Sequence, residues 1–492
     1  MDGRKSIRRY ILAATAALAL MMGGAMAEAE EYVVKAEAEQ GTLLGGASVA
    51  ANGTAVSGLR NDGDGVAVVF NVPEAGHYDV IVRQSSNDGG EKINYVCVNG
   101  KRVGEVVSTG SKWHDGVAEY IWLEAGENTV SVTKSWGWIS VDYIALQKSD
   151  PLPADIYDVE PVLVNPNATI EARRLMTFLC DCYGKKIISG QQCSEGPFGM
   201  PIAAVWRGIG GTDYPAVLGM DVMACTPGRT DKGSNPSEVT DYAIEYWNLN
   251  GITTLCWHWC PDISYDNGND YWGTFYTKNT KFNLAKALNG QDPKGYEYLL
   301  RDIDCVAAEL LKMQEAGVPI LWRPLHEASG GWFWWGASGP EAYIELYKLL
   351  YDRLTNVHGV NNLIWVWNGQ DAAWYPGDEY VDIIGEDIYP GERVYASQSG
   401  RFLKALSYTD TRKIITLSEN GCIPDPDQCI RDDIMWSWWC TWSGEYVLKS
   451  EGFNKYSEQY TEKSMLKKAY KHDNVITRKT LPDLKNYPLR DE

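Results

Sequence analysis

Two different spacings of apolar residues divide the chain into two parts. Over residues 31–148, short runs of β-branched and aromatic residues alternate with Gly, Asn and Asp turns, and amphipathic helical spacing is absent. Runs of this kind predict an antiparallel β-sandwich, here of the jelly-roll type. Residues 149–160 are rich in Pro and acidic residues, which is typical of a linker between domains.

From residue 161 to residue 492, short apolar runs alternate with amphipathic helical patterns. The helical spacing is clearest over residues 301–317 and 341–354, and eight apolar runs lie between these and similar segments. Eight strands that are each followed by a helix predict a (β/α)8 barrel, with a doubly wound α/β sheet as the alternative. Polar residues at the C-terminal ends of so many runs favour the barrel, because barrel enzymes carry their reacting groups there.

Residues 1–27 predict a cleaved signal peptide rather than a part of the fold. Four basic residues precede an apolar stretch from Tyr10 to Met22, and Ala25–Ala27 supplies the small residues of a cleavage site. The apolar stretch is too short to cross a membrane comfortably, and no later segment is as long and as apolar. We therefore expect a secreted, extracellular protein without a membrane partner.

Composition narrows the class of ligand. The chain has 65 acidic and 45 basic residues, and its net charge of −20 repels the phosphates of nucleic acids. It has 20 Trp and 29 Tyr but only 8 Phe. Trp and Tyr combine a flat apolar face with a polar group, which suits the apolar face and hydroxyl edge of a sugar ring. The profile therefore indicates a carbohydrate ligand, and we expect a monomer.

Cysteine and histidine usage argues against a metal enzyme. The eleven cysteines are an odd number, so at least one thiol is unpaired, and their spacing does not repeat as in a zinc ribbon. Some disulfides and mostly buried thiols are both compatible with the sequence. Only six His occur, and no HExxH motif is present, which disfavours a metal hydrolase.

Two glutamates lie at the C-terminal ends of predicted barrel strands. Glu327 and Glu419 each follow a strongly apolar run, on strands that face each other across the barrel mouth. One carboxylic acid and one carboxylate are what the cleavage of a glycosidic bond requires. A single Glu could form only an ion pair at a strand end, but the pair in a Trp-rich mouth favours catalysis. Glu386 and Asp387 could equally serve to hold Arg323 or a loop.

At these residues the chain resembles glycoside hydrolase family 26, whose best-known members are endo-β-1,4-mannanases. Residues 323–336 (RPLHEASGGWFWWG) are similar to its strand-four signature, and residues 415–421 (ITLSENG) to its strand-seven signature. The resemblance implies that Glu327 is the general acid/base and Glu419 the nucleophile of a retaining double displacement, without a catalytic cofactor. It implies a β-mannan-type plant cell-wall polysaccharide as substrate, such as mannan, galactomannan or glucomannan.

The retaining mechanism sets two geometric and electrostatic expectations. The two carboxyl groups should lie about 5–5.5 Å apart, and the pKa of Glu327 should be raised so that it begins the reaction as an acid. We expect the aromatic walls to stack on sugar rings and to disfavour the ionised form of Glu327.

The resemblance also implies a set of residues that contact the substrate. His258, within Trp257–Trp259, is expected to donate a hydrogen bond to the sugar or to an acid. A Trp at the end of strand eight is expected under the cleaved sugar, with Trp442 preferred to Trp439. Many family members have Asn-Gly where this chain has Ser329-Gly330, so a contact by that side chain is not carried over. The full set of candidate substrate contacts comprises His258, His326, Trp332, Tyr389, Trp442, Trp439 and Arg323.

The first domain resembles a family 35 carbohydrate-binding module. Residues 35–41 (KAEAEQG) and 135–146 (SWGWISVDYIAL) are similar to its opening and closing strands. In that module the two ends meet around a structural calcium, and the candidate oxygen ligands here are Glu37, Glu39 and Asp142. Candidate sugar-stacking residues are Trp113, Trp136 and Trp138, of which one or two are expected in the sandwich core.

Other functions stay open from the sequence alone. A β-1,3-1,4-glucanase or a β-xylanase of the same family is one alternative, because one or two side chains distinguish the O2 configuration of the sugar. A polysaccharide-binding protein without catalysis is another, although the presence of both glutamates with His258 and Tyr389 argues against it.

Overall fold

A computed structural model describes residues 34–449 and 455–490. It has a β-sandwich followed by a (β/α)8 barrel, which confirms the predicted fold class. The predicted signal peptide, residues 1–27, lies outside the described residues. None of the helices in these two described ranges combines the length and the apolarity needed to cross a membrane.

The sandwich consists of two antiparallel sheets. One sheet has the order β3-β4-β11-β6-β9 with β1 also paired to β11, and the other has the order β2-β5-β10-β7-β8. The strands are β1 (Val34–Glu37), β2 (Thr42–Leu44), β3 (Ser48–Val49), β4 (Val56–Ser57), β5 (Gly65–Val72), β6 (Gly76–Ser86), β7 (Glu91–Val98), β8 (Lys101–Thr109), β9 (His114–Leu123), β10 (Gly126–Lys134) and β11 (Ile139–Lys148).

Alternation of side chains explains the sandwich core. In β8, for example, the side chains of Val106 and Ser108 are buried while those of Glu105 and Val107 are exposed, as expected for a strand with one face in the core. The inner faces of both sheets supply one apolar cluster made largely of Val and Ile. The first and last strands pair antiparallel, with Glu37 opposite Tyr143.

The barrel consists of eight parallel strands that close on themselves, β13 through β20. A further parallel pair, β12 with β21, lies outside the barrel. The strands are β12 (Ile187–Ile188), β13 (Gly190–Gln192), β14 (Val217–Asp221), β15 (Ile252–Cys256), β16 (Ile320–Arg323), β17 (Leu363–Trp367), β18 (Ile383–Ile388), β19 (Ile414–Asn420), β20 (Trp439–Thr441) and β21 (Val475–Ile476).

Helices surround the barrel and bury their apolar stripe against it. In the longest helix, Asp292 caps the N-terminus by accepting a hydrogen bond from the backbone of Gly295 at 3.0 Å, and Pro293 occupies the first turn. The helices are α1 (Ile170–Cys182), α2 (Met200–Gly208), α3 (Pro227–Thr230), α4 (Glu238–Asn248), α5 (Leu284–Leu288), α6 (Pro293–Glu315), α7 (Pro340–Asp352), α8 (Ser399–Leu406), α9 (Pro426–Asp432) and α10 (Lys463–Lys471).

The sandwich packs against the barrel near β9 and α8. The hydroxyl of Ser399 donates to the carbonyl oxygen of Glu119 at 3.1 Å, and Nε2 of His77 lies 3.1 Å from Oδ1 of Asp432. The ring of Tyr120 also packs against the apolar core of the barrel. The sandwich and the barrel therefore share a direct interface.

All eleven cysteines are free thiols. All of them lie in the described part of the chain, eight are buried and three are half-buried. Of the two possibilities left open by the sequence, the structure therefore has mostly buried free thiols and no disulfides. Burial raises the pKa of thiols such as Cys256 and Cys429, which keeps them protonated and unreactive.

Candidate active site

Three carboxyl groups meet at the C-terminal end of the barrel. Glu327 follows β16, Asp387 lies on β18 and Glu419 lies on β19. One carboxylate oxygen of each lies within 4.8 Å of one oxygen of each of the others. The structure thus brings together the two glutamates singled out in the sequence, at a separation suited to an attack by one and a proton transfer by the other.

The backbone around Glu327 has an unusual conformation. After β16 ends at Arg323, both Leu325 and Glu327 adopt left-handed backbone angles, with φ of 53° and 54°. Such residues cost about 1–3 kcal/mol each and are frequent at functional sites. The backbone N–H of Glu327 donates to the carbonyl oxygen of Asn368 at 2.7 Å and lies 3.1 Å from its side-chain oxygen. Asn368, at the end of β17, therefore stabilises the turn that aims Glu327 into the mouth.

The surroundings of Glu327 favour its protonated form. Burial raises its pKa most, and the negative charges of Asp387 and Glu419 raise it further. The positive charge of Arg323 and a hydrogen bond from Nε1 of Trp332 at 3.0 Å act in the opposite direction but do not offset the rise. A carboxyl group that keeps its proton near neutral pH is what a general acid requires.

Glu419 is held as the more acidic partner. Burial and the charge of Asp387 raise its pKa, but Arg323 and a hydrogen bond from the Tyr389 hydroxyl lower it, so the pKa stays below that of Glu327. Nη2 of Arg323 donates to Glu419 at 2.8 Å, and the Tyr389 hydroxyl donates to Oε1 of Glu419. Two charge-assisted hydrogen bonds thus fix the direction of this carboxylate.

Arg323 has a different role from the one expected from the sequence. Its side chain is 1% exposed, and its two terminal nitrogens donate to Asp387 at 2.7 Å and to Glu419 at 2.8 Å. A buried guanidinium that is already paired in this way does not reach a sugar. The expectation that Arg323 contacts substrate is therefore wrong, and its position instead orients the acidic cluster.

The two predicted histidines lie side by side, with ring centres 4.6 Å apart. Nδ1 of His258 donates to Asp221 at 2.5 Å, and the same carboxylate accepts the backbone N–H of His258 at 3.1 Å. In the neutral ring this assigns the hydrogen to Nδ1 and leaves Nε2 as an acceptor. Burial and the charge of Arg323 lower the pKa of His326 well below its usual range, so that ring is neutral. Their contact with a sugar stays a prediction.

The aromatic residues of the mouth divide into a sugar-accessible set and a buried set. Trp332 is 49% exposed, Tyr389 is 39% exposed, and the ring centre of half-buried Trp442 lies 6.2 Å from that of His258. Trp439 is fully buried and packs against Tyr470 instead. Trp439 therefore does not line the mouth, which corrects that candidate and leaves Trp442.

Two tryptophans of the WFWW segment also belong to the core rather than to a wall. Nε1 of Trp335 donates to the carbonyl oxygen of His326 at 2.8 Å, and Nε1 of Trp334 donates to that of Trp259 at 2.6 Å. Both rings are buried, so they support the loop that carries Glu327 from below. Of the three tryptophans, Trp332 alone is exposed, so it is the one member of this segment that can stack on a sugar ring.

Three residues of the site were not singled out as functional from the sequence. Asp387 had been considered only as a partner of Arg323, although its place at the end of β18 was a usable signal. Asp221 ends β14 and fixes His258, and the same rule of strand ends would have found it. Tyr276 lies in a loop and its ring stacks on that of Phe333, and burial together with the charges of Glu327 and Glu419 raises the pKa of its hydroxyl. No strand pattern could have indicated it.

The three candidate sugar-stacking tryptophans of the sandwich are all exposed. Trp113, Trp136 and Trp138 are 41%, 66% and 56% exposed, so the expectation that one or two lie in the core is wrong. The backbone N–H groups of Ser135 and Gly137 both donate to the side-chain oxygen of Asn94, at 3.1 and 2.9 Å. This holds the loop so that its tryptophans point outward, where side chains can meet a flat ligand.

The residues expected to bind calcium lie near the paired ends of the sandwich. Burial, followed by the charges of Glu37 and Glu39, raises the pKa of Asp142. Oε2 of Glu39 is buried without a hydrogen-bond partner. A hard cation would satisfy this oxygen and reduce the repulsion, so the donor set fits calcium. The three groups are more widely spaced than the 4.8 Å cluster in the barrel.

Comparison with known proteins gives two family matches that follow the two structural parts. The model of glycosyl hydrolase family 26 matches residues 164–480, and that of carbohydrate binding module family 35 matches residues 33–149.

Similar proteins cover most of the chain. A protein of Thermothelomyces thermophilus named mannan endo-1,4-beta-mannosidase is 38% identical over 403 residues, which are 81% of this chain and 79% of that protein. Mannan endo-1,4-beta-mannosidase B of Piromyces sp is 35% identical over 458 residues, 91% of this chain and 77% of that one. The crystal structure of a GH26-CBM35 beta-(1,4)-mannanase of Podospora anserina is 33% identical, with a TM-score of 0.65, and the match covers 92% of this chain and 99% of that one.

Proposed function

The chain belongs to glycosyl hydrolase family 26, and we infer that it is an endo-acting mannan endo-1,4-beta-mannosidase, a glycoside hydrolase that cleaves mannan-type polysaccharide. The relatives that cover most of the chain carry this name. The family 35 carbohydrate-binding module at the N-terminus is consistent with a polymeric substrate.

We propose a retaining double displacement by the two glutamates. Glu419 attacks the anomeric carbon while protonated Glu327 gives its proton to the leaving oxygen, so that a glycosyl ester of Glu419 forms and the leaving chain departs. Glu327, now ionised, takes a proton from water as the water attacks the same carbon and releases Glu419. No cofactor enters either step.

The observation that carries this proposal is the approach of the two carboxylates to within 4.8 Å in an aromatic mouth. An inverting mechanism needs about 6.5–9.5 Å, to leave room for a water molecule between the carboxyl group and the sugar. The higher pKa of Glu327 and the two hydrogen bonds to Glu419 support Glu327 as the acid and Glu419 as the nucleophile. We propose that His258, Trp332, Tyr389 and Trp442 contact the sugar.

The proposal extends to the rest of the chain. We propose that residues 149–160 link a module at 31–148 to a catalytic domain at 161–492, which the end of β11 at Lys148 and the start of α1 at Ile170 support. We propose that Glu37, Glu39 and Asp142 hold a structural calcium, and that Trp113, Trp136 and Trp138 bind sugar. Export through a signal peptide at residues 1–27, extracellular action and a monomeric state complete the proposal.

The test is the release of reducing sugar from mannan, galactomannan, barley β-glucan and xylan. We expect mannan-type polymers to be cut, and Glu327→Gln and Glu419→Gln each to lower kcat at least about a thousandfold on mannan. Glu341→Gln, which makes the same charge change on the exposed face of α7, serves as the control and should keep full activity. Cleavage of barley β-glucan or xylan in preference to mannan would overturn the substrate, and full activity of either site variant would overturn the mechanism.

A further inference from the structure

A side chain of the sandwich reaches the loop that carries Tyr389. Arg102 lies on β8, and its Nη1 donates a hydrogen bond to the carbonyl oxygen of Pro390, the residue after Tyr389. Tyr389 donates its own hydroxyl hydrogen to Oε1 of Glu419. Two hydrogen bonds and one peptide bond therefore connect the sandwich to the carboxylate proposed as the nucleophile.

The guanidinium of Arg102 is itself held in place. Its central carbon lies 3.3 Å from the centre of the Tyr95 ring, which belongs to the neighbouring strand β7. A guanidinium stacked on an aromatic face keeps its planar set of N–H donors in one direction. Little side-chain freedom is therefore lost when the bond to Pro390 forms.

Two glycines allow close packing on both sides of the Tyr389 loop. Gly391 has a φ of +100°, and a Cβ there would lie 2.8 Å from Nη1 of Arg102. On the opposite side, a Cβ on Gly421 would lie 3.0 Å from the ring of Tyr389, and the backbone N–H of Gly421 donates to Ile388 at 3.1 Å. The loop is thus held between the end of β19 and Arg102.

We propose that Arg102 is a positioning residue for hydrolysis, although it belongs to the carbohydrate-binding module and touches neither the substrate nor the reacting atoms. It fixes the turn from Tyr389 to Gly391, so that the Tyr389 hydroxyl stays aligned on Glu419 while that group changes from carboxylate to ester. Small misplacements of such groups are costly in rate. The module is then a part of the catalytic unit as well as an attachment to the polymer. The inference rests on the proposed function.

The test uses the full chain and a short soluble manno-oligosaccharide, so that binding to the polymer through the module does not enter. Arg102→Met keeps an apolar stem over Tyr95 and removes the donor. We expect kcat to fall roughly five- to tenfold, the range for the loss of one hydrogen bond that aligns a reacting group. Arg102→Lys, which keeps a donor, should recover part of the loss.

A double-mutant cycle separates positioning from a general effect on folding. In a Tyr389→Phe background Arg102→Met should cause no further loss, because the hydroxyl that it aligns is gone. His77→Asn is the matched control, since it removes a contact across the same domain interface that points to Asp432 and away from the loop. This variant should keep the kcat of the wild type. Melting temperatures of all variants check that each is folded.

Three outcomes would overturn the inference. These are full activity of Arg102→Met, a loss that simply adds to that of Tyr389→Phe, or an equal loss in His77→Asn. Any of them, found together with an active wild type and an inactive Glu419→Gln variant, would leave the proposed function intact. A wild type without activity on mannan-type substrates would instead overturn the proposed function and this inference with it.

Discussion

At the scale of single residues, burial and charge prepare two identical side chains for different roles. Three carboxyl groups within 4.8 Å of one another cannot all ionise at low cost, and one guanidinium serves only two of them. Arg323 is bonded to Asp387 and Glu419, so the unpaired member, Glu327, is the one that retains a proton. The difference between acid and nucleophile therefore follows from the bond of Arg323 to Glu419 together with the hydrogen bond that the Tyr389 hydroxyl donates to Glu419.

Asp387 should set the alkaline limit of activity. Its negative charge raises the pKa of Glu327, and kcat/KM falls as pH rises through that pKa because the general acid loses its proton. In Asp387→Asn the raising charge is gone, so the pKa of Glu327 falls and the alkaline limb should move by roughly one unit to lower pH. The shift is measured from the pH profile of kcat/KM. Asn is chosen because its side-chain oxygen can still accept a hydrogen bond from Arg323. An alkaline limb that stays in place would contradict the electrostatic account.

The sequence identifies the glutamates because each follows a strong apolar strand, and strand ends are visible in a pattern of residues. It does not separate Arg323, which is buried, from Trp332, which is exposed. Arg323 still lies on β16, whereas Trp332 follows the left-handed turns at Leu325 and Glu327, and the sequence between Arg323 and Gly330 has no feature that predicts these turns.

At the scale of elements, the loop after β16 combines a strained turn with a close contact. The Trp332 ring lies directly over Gly330, where a Cβ would be 2.0 Å from the ring. The absence of a side chain at Gly330 therefore allows Trp332 to lie flat and to donate its N–H to Glu327. The position of the Trp332 ring in this loop therefore depends on the lack of a side chain at Gly330.

Gly330→Ala should displace the Trp332 ring without unfolding the barrel. An aromatic contact of this kind is worth about 0.5–1.5 kcal/mol, so we expect KM for a manno-oligosaccharide to rise roughly two- to tenfold. Gly400→Ala in α8 is the matched control, because a Cβ there meets no atom within 4 Å. Unchanged KM in Gly330→Ala, with tryptophan fluorescence also unchanged, would show that the ring does not depend on this glycine.

Calcium should stabilise the sandwich through its first and last strands. Saturating calcium at about 100 times its Kd would add about 2.7 kcal/mol, which raises the melting temperature of the sandwich by several degrees. EDTA should reverse the rise, and Asp142→Asn should remove the response. Differential scanning calorimetry assigns the shift to the sandwich if the sandwich and the barrel unfold in separate transitions. A melting temperature that is the same in calcium and in EDTA would contradict the proposed site.

Elements with a regular apolar pattern were predictable, and short or charged ones were not. Each of the eight barrel strands coincides with or adjoins an apolar run of the sequence. In the first run, however, Ile187–Ile188 pairs with β21 outside the barrel, and the barrel strand itself starts at Gly190. In the sandwich, Lys101, Arg102 and Glu105 interrupt the apolar alternation of β8 at the edge of its sheet, so the sequence pattern does not indicate this strand. Strands β2 to β4 have two or three residues each, too few for any periodicity.

At the scale of the whole molecule, stability comes from two apolar cores without cross-links. The barrel buries ten large side chains of Trp almost completely, several of which donate their indole N–H to a backbone carbonyl. The high Trp content of the chain therefore reflects the packing of the barrel core as well as a sugar-binding site. Composition alone could not divide the tryptophans between core and surface, because both environments favour the same residue.

The free thiols should be detectable in the unfolded protein. Alkylation in denaturant without a reducing agent should modify all eleven cysteines, and mass spectrometry counts the added groups. In the native protein the reaction should be much slower, because burial shields the thiols and raises their pKa. A reducing agent should leave the melting temperature unchanged. A count below eleven in denaturant would show that disulfides form after all.

The roles of Glu327 and Glu419 can be read most directly from azide rescue, with the anomeric configuration of the product determined by NMR. On an aryl β-mannobioside with a good leaving group, azide should react with the glycosyl ester of Glu419 in Glu327→Ala and give the β-mannosyl azide. In Glu419→Ala, azide takes the place of the missing carboxylate and should give the α-mannosyl azide. The opposite pair of anomers, or full activity of Glu327→Ala on mannan, would contradict the assignment.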